Sequence, residues 1–298
     1  MIISASRRTD IPALYPEWFM NRIREGFLFV RNPFNAQQAK RVDLSPDAVD
    51  VIVFWTKNPQ PMLAALDELD RRGYRYYFHV TLTGLPKLFE PSLPHEQELI
   101  GSFKALSGKI GRDRVIWRFD PIVLSSLTPE GALTATFRRL ASELSGSTSR
   151  VVISFVHLYR SVVRHLARME KEHGIAFYDR SRSTEQVTRL AAALAEIARA
   201  HSLEMQSCAE TLDLSAAGIA HGRCIDNGLI KKLFGITVSG RKDKYQREHC
   251  LCVESQDIGQ YNTCTHGCVY CYAASNRKEV QKNRSLHHPE NPFLIEGE

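Results

Sequence analysis

Apolar residues fall in short runs separated by longer segments with helical spacing, the alternation that a parallel sheet with crossover helices requires. Six runs read as strands, at residues 2–5, 51–55, 75–82, 114–119, 151–156 and 203–207. Most are continuously apolar, as expected of strands covered on both faces. The intervening segments predict helices with readable ends. Thr128, Pro129 and Glu130 offer a capping hydroxyl, a proline at the first helical position and an acid near the positive end of the dipole. Ser183 and Gln186 read as a capping box, opening a helix whose Leu190, Leu194 and Ile197 form one apolar face. Gly26, Gly73 and Gly174 close earlier helical stretches, and a short helix is expected over 226–234. The expected fold is α/β: a partial TIM-like barrel of six β/α units over residues 1–210. A cysteine-rich extension, 211–298, would pack on it as part of one domain. An open doubly wound sheet is the alternative, but it usually carries a glycine-rich phosphate loop after its first strand, and none is present.

Each expected strand runs into a polar cluster: SASRRTD, WTKNP, HVTLTG, WRFDP, SFVH and SCAE. A β/α barrel assembles its active site from the C-terminal ends of its strands. On that basis Arg7, Asp10, Lys57, Arg118, Asp120, His157 and Glu210 are candidate catalytic residues, and Lys57 and Asn58 are candidate cofactor contacts. Arg8, His79 and Thr81 would point into the same mouth. Any one of them is as readily a helix cap or half of a buried ion pair, whereas six clusters together favour a shared concavity.

A chain of 298 residues is long enough for a sizeable core, as one large domain or two ordinary ones. No apolar run is long enough to span a bilayer, and the first apolar residues precede the arginines, the reverse of a secretory signal. A cytoplasmic protein with no membrane partner is expected. The 39 Lys and Arg against 33 Asp and Glu give +6, spread along the chain, which supports solubility at least as well as nucleic-acid binding.

The cysteines change the picture. There are seven, five of them between positions 250 and 271, which favours metal or cluster ligation over disulfides. Cys264, Cys268 and Cys271, spaced C-x-x-x-C-x-x-C, place three soft thiolates on one compact loop. Structural zinc sites close with four ligands, whereas three thiolates leave one iron of a 4Fe-4S cube open. Cys208, Cys224, Cys250 and Cys252 would suffice for a second such cluster. Alternatively, Cys208 and Cys224 are ordinary buried thiols, or Cys250 or Cys252 closes the first cluster. His266, inside the loop, is expected to shape the turn or face solvent. The DIGQY segment at 257–261 is expected to position the loop through backbone hydrogen bonds.

The run CTHGCVYCYA resembles the cluster-binding loop of the radical S-adenosylmethionine superfamily. The resemblance implies that Cys264, Cys268 and Cys271 bind three irons of a 4Fe-4S cluster. The fourth iron would chelate S-adenosylmethionine, whose reductive cleavage gives a 5'-deoxyadenosyl radical, with Tyr270 near the adenine. A reductant such as flavodoxin or ferredoxin is then implied. Over nearly its full length the chain also resembles a bacterial family of unknown function, through SASRRTDIPA, VRNPFN, VFWTKNP and DIGQYNTCTHGCVYCYA. The cysteine motif is distantly similar to that of spore photoproduct lyase, which acts on DNA. In the superfamily the loop follows the first barrel strand, whereas here it lies near the C-terminus, so it must return to the mouth through space. Arg7, Arg8, Lys57 and Arg118 suit an anionic substrate, a nucleic acid included. The competing expectations are an iron-sulfur or zinc protein whose metal is structural or carries electrons, and a hydrolase using Asp120, His157 and Glu210.

Overall fold

Strands that are apolar on both faces must be covered on both, and the fold does so with two different kinds of structure. The computed structural model describes residues 1–33, 35–178 and 184–296 and is a mixed α/β arrangement. Its first half runs β1 (Ile2–Ala5), α1 (Ile11–Leu14), α2 (Pro16–Glu25), β2 (Phe27–Asn32), β3 (Asn35–Asp43), β4 (Val51–Thr56), α3 (Leu66–Arg71), β5 (Tyr76–Thr81) and α4 (Glu96–Ile110). The second runs β6 (Val115–Ile122), α5 (Glu130–Glu143), β7 (Arg150–Phe155), α6 (Arg160–His173), α7 (Thr184–Ala200), β8 (Glu204–Cys208), β9 (Ala220–Gly222), α8 (Asn227–Phe234), β10 (Gln256–Asp257) and α9 (Arg277–Ser285).

Eight strands form one parallel sheet in the order β10, β1, β4, β5, β6, β7, β8, β9, while β2 and β3 make a separate antiparallel pair. From β1 to β9 the order follows the sequence, without the reversal that marks a doubly wound sheet. The sheet is open, with β10 and β9 at its edges, so the six expected strands become eight in this sheet, with β2 and β3 as a further pair where a helix was expected, and no closed barrel forms among the described residues. β10 and β9 span two and three residues, too short for any hydrophobic period to announce them.

Alternation along each strand sorts the side chains between two cores. Ile3, Phe54, Phe78, Trp117 and Ile153 pack with helix residues such as Phe103, Phe137 and Leu190. Ile2, Val51, Val53, Tyr77, Ile116 and Val152 face the other way and pack with Ile225, Leu229, Ile230 and Val253. Helices such as α4, α5 and α7 therefore cover one face, and α8 with the loops around it after β9 covers the other.

Local chemistry sets several helix ends. Gly26 and Gly174 end α2 and α6 in the left-handed region that glycine tolerates, and Asp226 caps α8 by accepting from the Gly228 amide at 2.8 Å. Thr128 does not cap α5. Its hydroxyl donates to the Val123 carbonyl at 2.6 Å, holding the loop after β6. Ser183 lies outside the described residues. Among the described residues no helix is long and apolar enough to cross a membrane.

Phe137 is fully buried, stacked on Trp117 at 4.8 Å and edge-on to Phe119 at 5.0 Å. Phe137→Ala is expected to cost about 3–5 kcal/mol, read as a lower denaturant midpoint with an unchanged slope.

Candidate active site

The polar ends of the strands open into a cavity of about 460 Å³. Arg7, Arg8, Asp10, Lys57, Thr81, Arg118 and Asp120 line it, as do all seven cysteines and Tyr270. The cysteine loop, far away in sequence, therefore meets the strand ends in space.

Two carboxylates bring it there. Asp257, in β10, pairs beside β1 and accepts from Ser4 Oγ at 3.0 Å, Ser6 Oγ at 2.7 Å, the Arg7 amide at 2.9 Å and the Gly259 amide at 3.0 Å. The DIGQY segment thus positions the loop, chiefly through one side chain rather than through backbone bonds alone. Asp10 caps α1 by accepting from the Ala13 amide at 3.1 Å, and its other oxygen takes the Lys57 amide at 2.7 Å and His266 Nε2 at 2.8 Å. His266 is therefore buried and bonded to Asp10 rather than solvent-facing, and Asp10 ties β1, β4 and the cysteine loop together.

The loop rests on the connection between β5 and α4. The Val269 amide donates to the Phe89 carbonyl at 3.0 Å and the Ser92 amide to the His266 carbonyl at 3.2 Å. Gly267, at φ +71°, turns the chain between His266 and Cys268. Glu90, buried in that connection, accepts from Lys57 Nζ at 2.7 Å, from Thr83 Oγ1 at 3.1 Å and from the Tyr270 hydroxyl. The Lys57 ammonium also lies 5.5 Å from the centre of the Tyr270 ring. Burial disfavours charge on Lys57, but Glu90 and Cys268 outweigh it and raise its pKa.

The sulfurs form two groups. Burial pushes Cys268 up to about 12 and raises Cys264 and Cys271 as well; charge on Cys271 further raises Cys264 and Cys268, and charge on Cys268 raises Cys264. In the second group Cys224 Sγ lies 3.1 Å from Cys208 Sγ, the Ile225 amide donates to Cys252 Sγ at 3.4 Å, and Cys208, Cys224, Cys250 and Cys252 belong to one packed cluster. All seven are free. Among the described residues no set of three or more His, Cys, Asp or Glu is arranged to hold a metal ion.

Cations accompany the second group. Arg118 Nη1 donates to Cys224 Sγ at 2.8 Å, and its Nε donates to Asp120 at 3.0 Å. Burial works against its charge, but Asp120 and the thiols of Cys224 and Cys208 outweigh it. Burial likewise raises the Asp120 carboxyl, yet Arg118 and Ser154 bring it below its usual range. Arg7 is opposed by burial and raised by Cys252, Asp257 and Cys250, and its Nη2 is buried without a hydrogen-bond partner among the described residues.

Four expected site residues lie outside the cavity wall. Asn58 shapes the turn after β4, accepting from the Gln60 amide at 3.1 Å. Glu210 accepts from the Phe155 and Thr211 amides at 3.3 and 2.9 Å, holding β7 to β8. His157 lies past β7, its ring 6.2 Å from Tyr159. His79 is stacked on Trp55 at 4.5 Å with Nε2 2.8 Å from the Cys224 carbonyl, and burial, helped by Arg118, lowers its pKa to about 3. Trp55, Tyr159, Arg247 and Tyr272 were not expected on the wall, nor was Glu90 behind it, where it holds Lys57 and Tyr270. Glu90 carries no local signal, because two of its three partners, Lys57 and Tyr270, come from other segments.

The sequence matches the family described as a domain of unknown function, DUF1848, over residues 2–273, a span that contains every residue of the cavity wall. No curated protein and no solved structure matches the chain.

A Cβ on Gly259 would lie 2.0 Å from Ser6 Oγ and 2.6 Å from Ser6 Cβ. Gly259→Ala is expected to destabilise the protein by about 1–3 kcal/mol in chemical unfolding. Ser6→Gly in the same chain should recover part of that loss, since it removes the clashing atoms.

Proposed function

The chain belongs to the DUF1848 family, and we propose that it is a radical S-adenosylmethionine enzyme whose Cys264, Cys268 and Cys271 hold a 4Fe-4S cluster. The observation that carries this reading is the division of seven sulfurs facing one cavity. Three come from a single loop, with Cys268 and Cys271 in one packed cluster, and the other four belong to a different one. Soft thiolates on a buried loop suit iron-sulfur ligation, and three of them leave the open iron that the cofactor needs. The sequential, singly wound sheet supports a barrel-like mouth with the cluster at the C-terminal ends of its strands.

The chemistry supplied there is reductive cleavage of S-adenosylmethionine to a 5'-deoxyadenosyl radical. The protein binds, orients and keeps water out. Arg7 Nη2, buried and without a partner among the described residues, is a donor available to a carboxylate. Glu90 holds the Tyr270 hydroxyl, fixing the ring in the cavity wall for a planar group to lie against. A cavity of about 460 Å³ is within the range of small-molecule sites. Arg8 and Arg247 on the wall suit an anionic substrate, with nucleic acid one such class. Seven free thiols agree with a reducing compartment, the cytoplasm, where a flavodoxin or ferredoxin would supply electrons.

Anaerobic reconstitution, then reduction with S-adenosylmethionine present, tests the reading by chromatography of 5'-deoxyadenosine. The wild type is expected to produce it, and Cys268→Ala to fall to the level of buffer. A fully loaded wild type that forms none overturns the proposal in favour of a structural or electron-carrying cluster.

A further inference from the structure

We infer that the rim of the cavity is a binding surface for single-stranded nucleic acid, with tyrosine rings as platforms for its bases and Arg8, Lys244 and Arg247 as contacts for its phosphates. A residue that lines the cavity and is also exposed lies at its mouth. Tyr159, Tyr245, Tyr261 and Tyr272 meet both conditions, at 37%, 84%, 40% and 43% exposure. They come from the segment after β7, the segment after α8 and the two ends of the cysteine loop, so the tertiary structure gathers them. Exposed apolar surface concentrated at one place marks an interaction site. The Tyr159 and Tyr272 rings lie 5.3 Å apart with planes inclined at 41°. Tyr261 and Tyr245 each carry a cation, Arg8 at 5.3 Å and Lys244 at 5.2 Å from the ring centre.

The cations around the cavity divide by depth. Each inner one has a carboxylate: Lys57 has Glu90 at 2.7 Å, Arg118 has Asp120, and Arg7 has Asp243 at 3.7 Å. Arg8, Lys244 and Arg247 form no ion pair among the described residues. The Arg8 guanidinium donates only to the Gly259 carbonyl, at 3.5 Å. Burial opposes charge on Arg247, and Tyr159, Cys208, Tyr272 and Asp120 nevertheless raise its pKa. The segment 241–247, RKDKYQR, turns its one acid, the buried Asp243, inward to Arg7 and leaves Lys244 and Arg247 exposed on either side of Tyr245.

Rings interleaved with such cations match a polymer that alternates planar bases with phosphates. In a duplex the bases stack on one another and show only their edges, so four rings around one mouth favour an unpaired strand. An acidic peptide would satisfy the cations but brings no planar group to the rings at each step.

The inference rests on the reading of the cavity as a site for an anionic substrate. Binding is measured without reductant or S-adenosylmethionine, so its failure leaves the 5'-deoxyadenosine result unaffected. The anaerobically purified full chain is titrated against a fluorescein-labelled oligothymidylate of about 12 nucleotides and followed by fluorescence anisotropy at several salt concentrations. Saturable binding that weakens with salt is expected. Tyr245→Ala should weaken it about 5- to 150-fold with an unchanged salt slope, because a stacked base is lost and no phosphate contact is. Lys244→Gln with Arg247→Gln should weaken it and make the slope of log affinity against log salt shallower by about 1.4. These side chains are exposed, and native circular dichroism confirms that each variant folds. The inference is overturned by an absence of saturable binding at about 50 mM salt, by wild-type affinity in both variants, or by equal affinity for a fully paired duplex or for polyglutamate.

Discussion

The carboxylate of Asp257 is the constraint on which the site depends. It receives two hydroxyls and two amides, three of these donors lying at Ser4, Ser6 and Arg7. Hydrogen bonds to a charged acceptor contribute about 1.5–3 kcal/mol each, and losing the acceptor would strand buried donors. This one side chain fastens the end of the chain to its beginning and adds β10 to the sheet beside β1. The cysteine loop follows within a few residues, and Asp10 then locks it through His266. The cysteine loop near the C-terminus thereby reaches the strand ends, although it lies some 250 positions from β1 in sequence.

Around this clasp the cavity wall is unusually rich in charge for a buried surface. Lys57 is neutralised by Glu90, and Arg118 by Asp120. Breaking such a buried pair typically costs about 3–5 kcal/mol, because one charge is left uncompensated. Each pair also holds a neighbour of the sulfurs in place: Glu90 holds Tyr270, and Arg118 reaches Cys224. The ion pairs therefore position a neighbour of each thiol group as well as stabilising the fold. Glu90 and Asp120 lie after or within different strands, so the wall is assembled from the whole sheet.

The apolar layer explains why the segment after β9 cannot be an independent appendage to the sheet's chemistry. Its Ile225, Leu229, Ile230 and Val253, two of them on α8, cover the sheet face opposite α4, α5 and α7, and Cys208, Cys224, Cys250 and Cys252 sit in the same packed cluster. Packing of that face and placement of four sulfurs are one event.

Six strands of the parallel sheet were legible because burial on both faces writes a continuous apolar run, whereas β2, half-buried, and β3, polar and largely exposed, were not. The strand-end clusters were legible because polar residues there interrupt it. The cysteine motif was legible through its spacing alone. Beyond these, local pattern carries no information. β9 and β10 are too short to show a period, Glu90 is a lone acid in a connection, and Thr128 has the chemistry of a cap but satisfies the Val123 carbonyl instead. Asn58 and Glu210 sit where strand ends predict a site, yet their hydrogen bonds shape turns and join strands. By itself the sequence determined the parallel α/β layering and which residues could do chemistry, since both follow from local periodicity and residue type. Tertiary structure alone decided which of them share a cavity, and how seven sulfurs divide, because those relations rest on contacts between segments up to 250 residues apart.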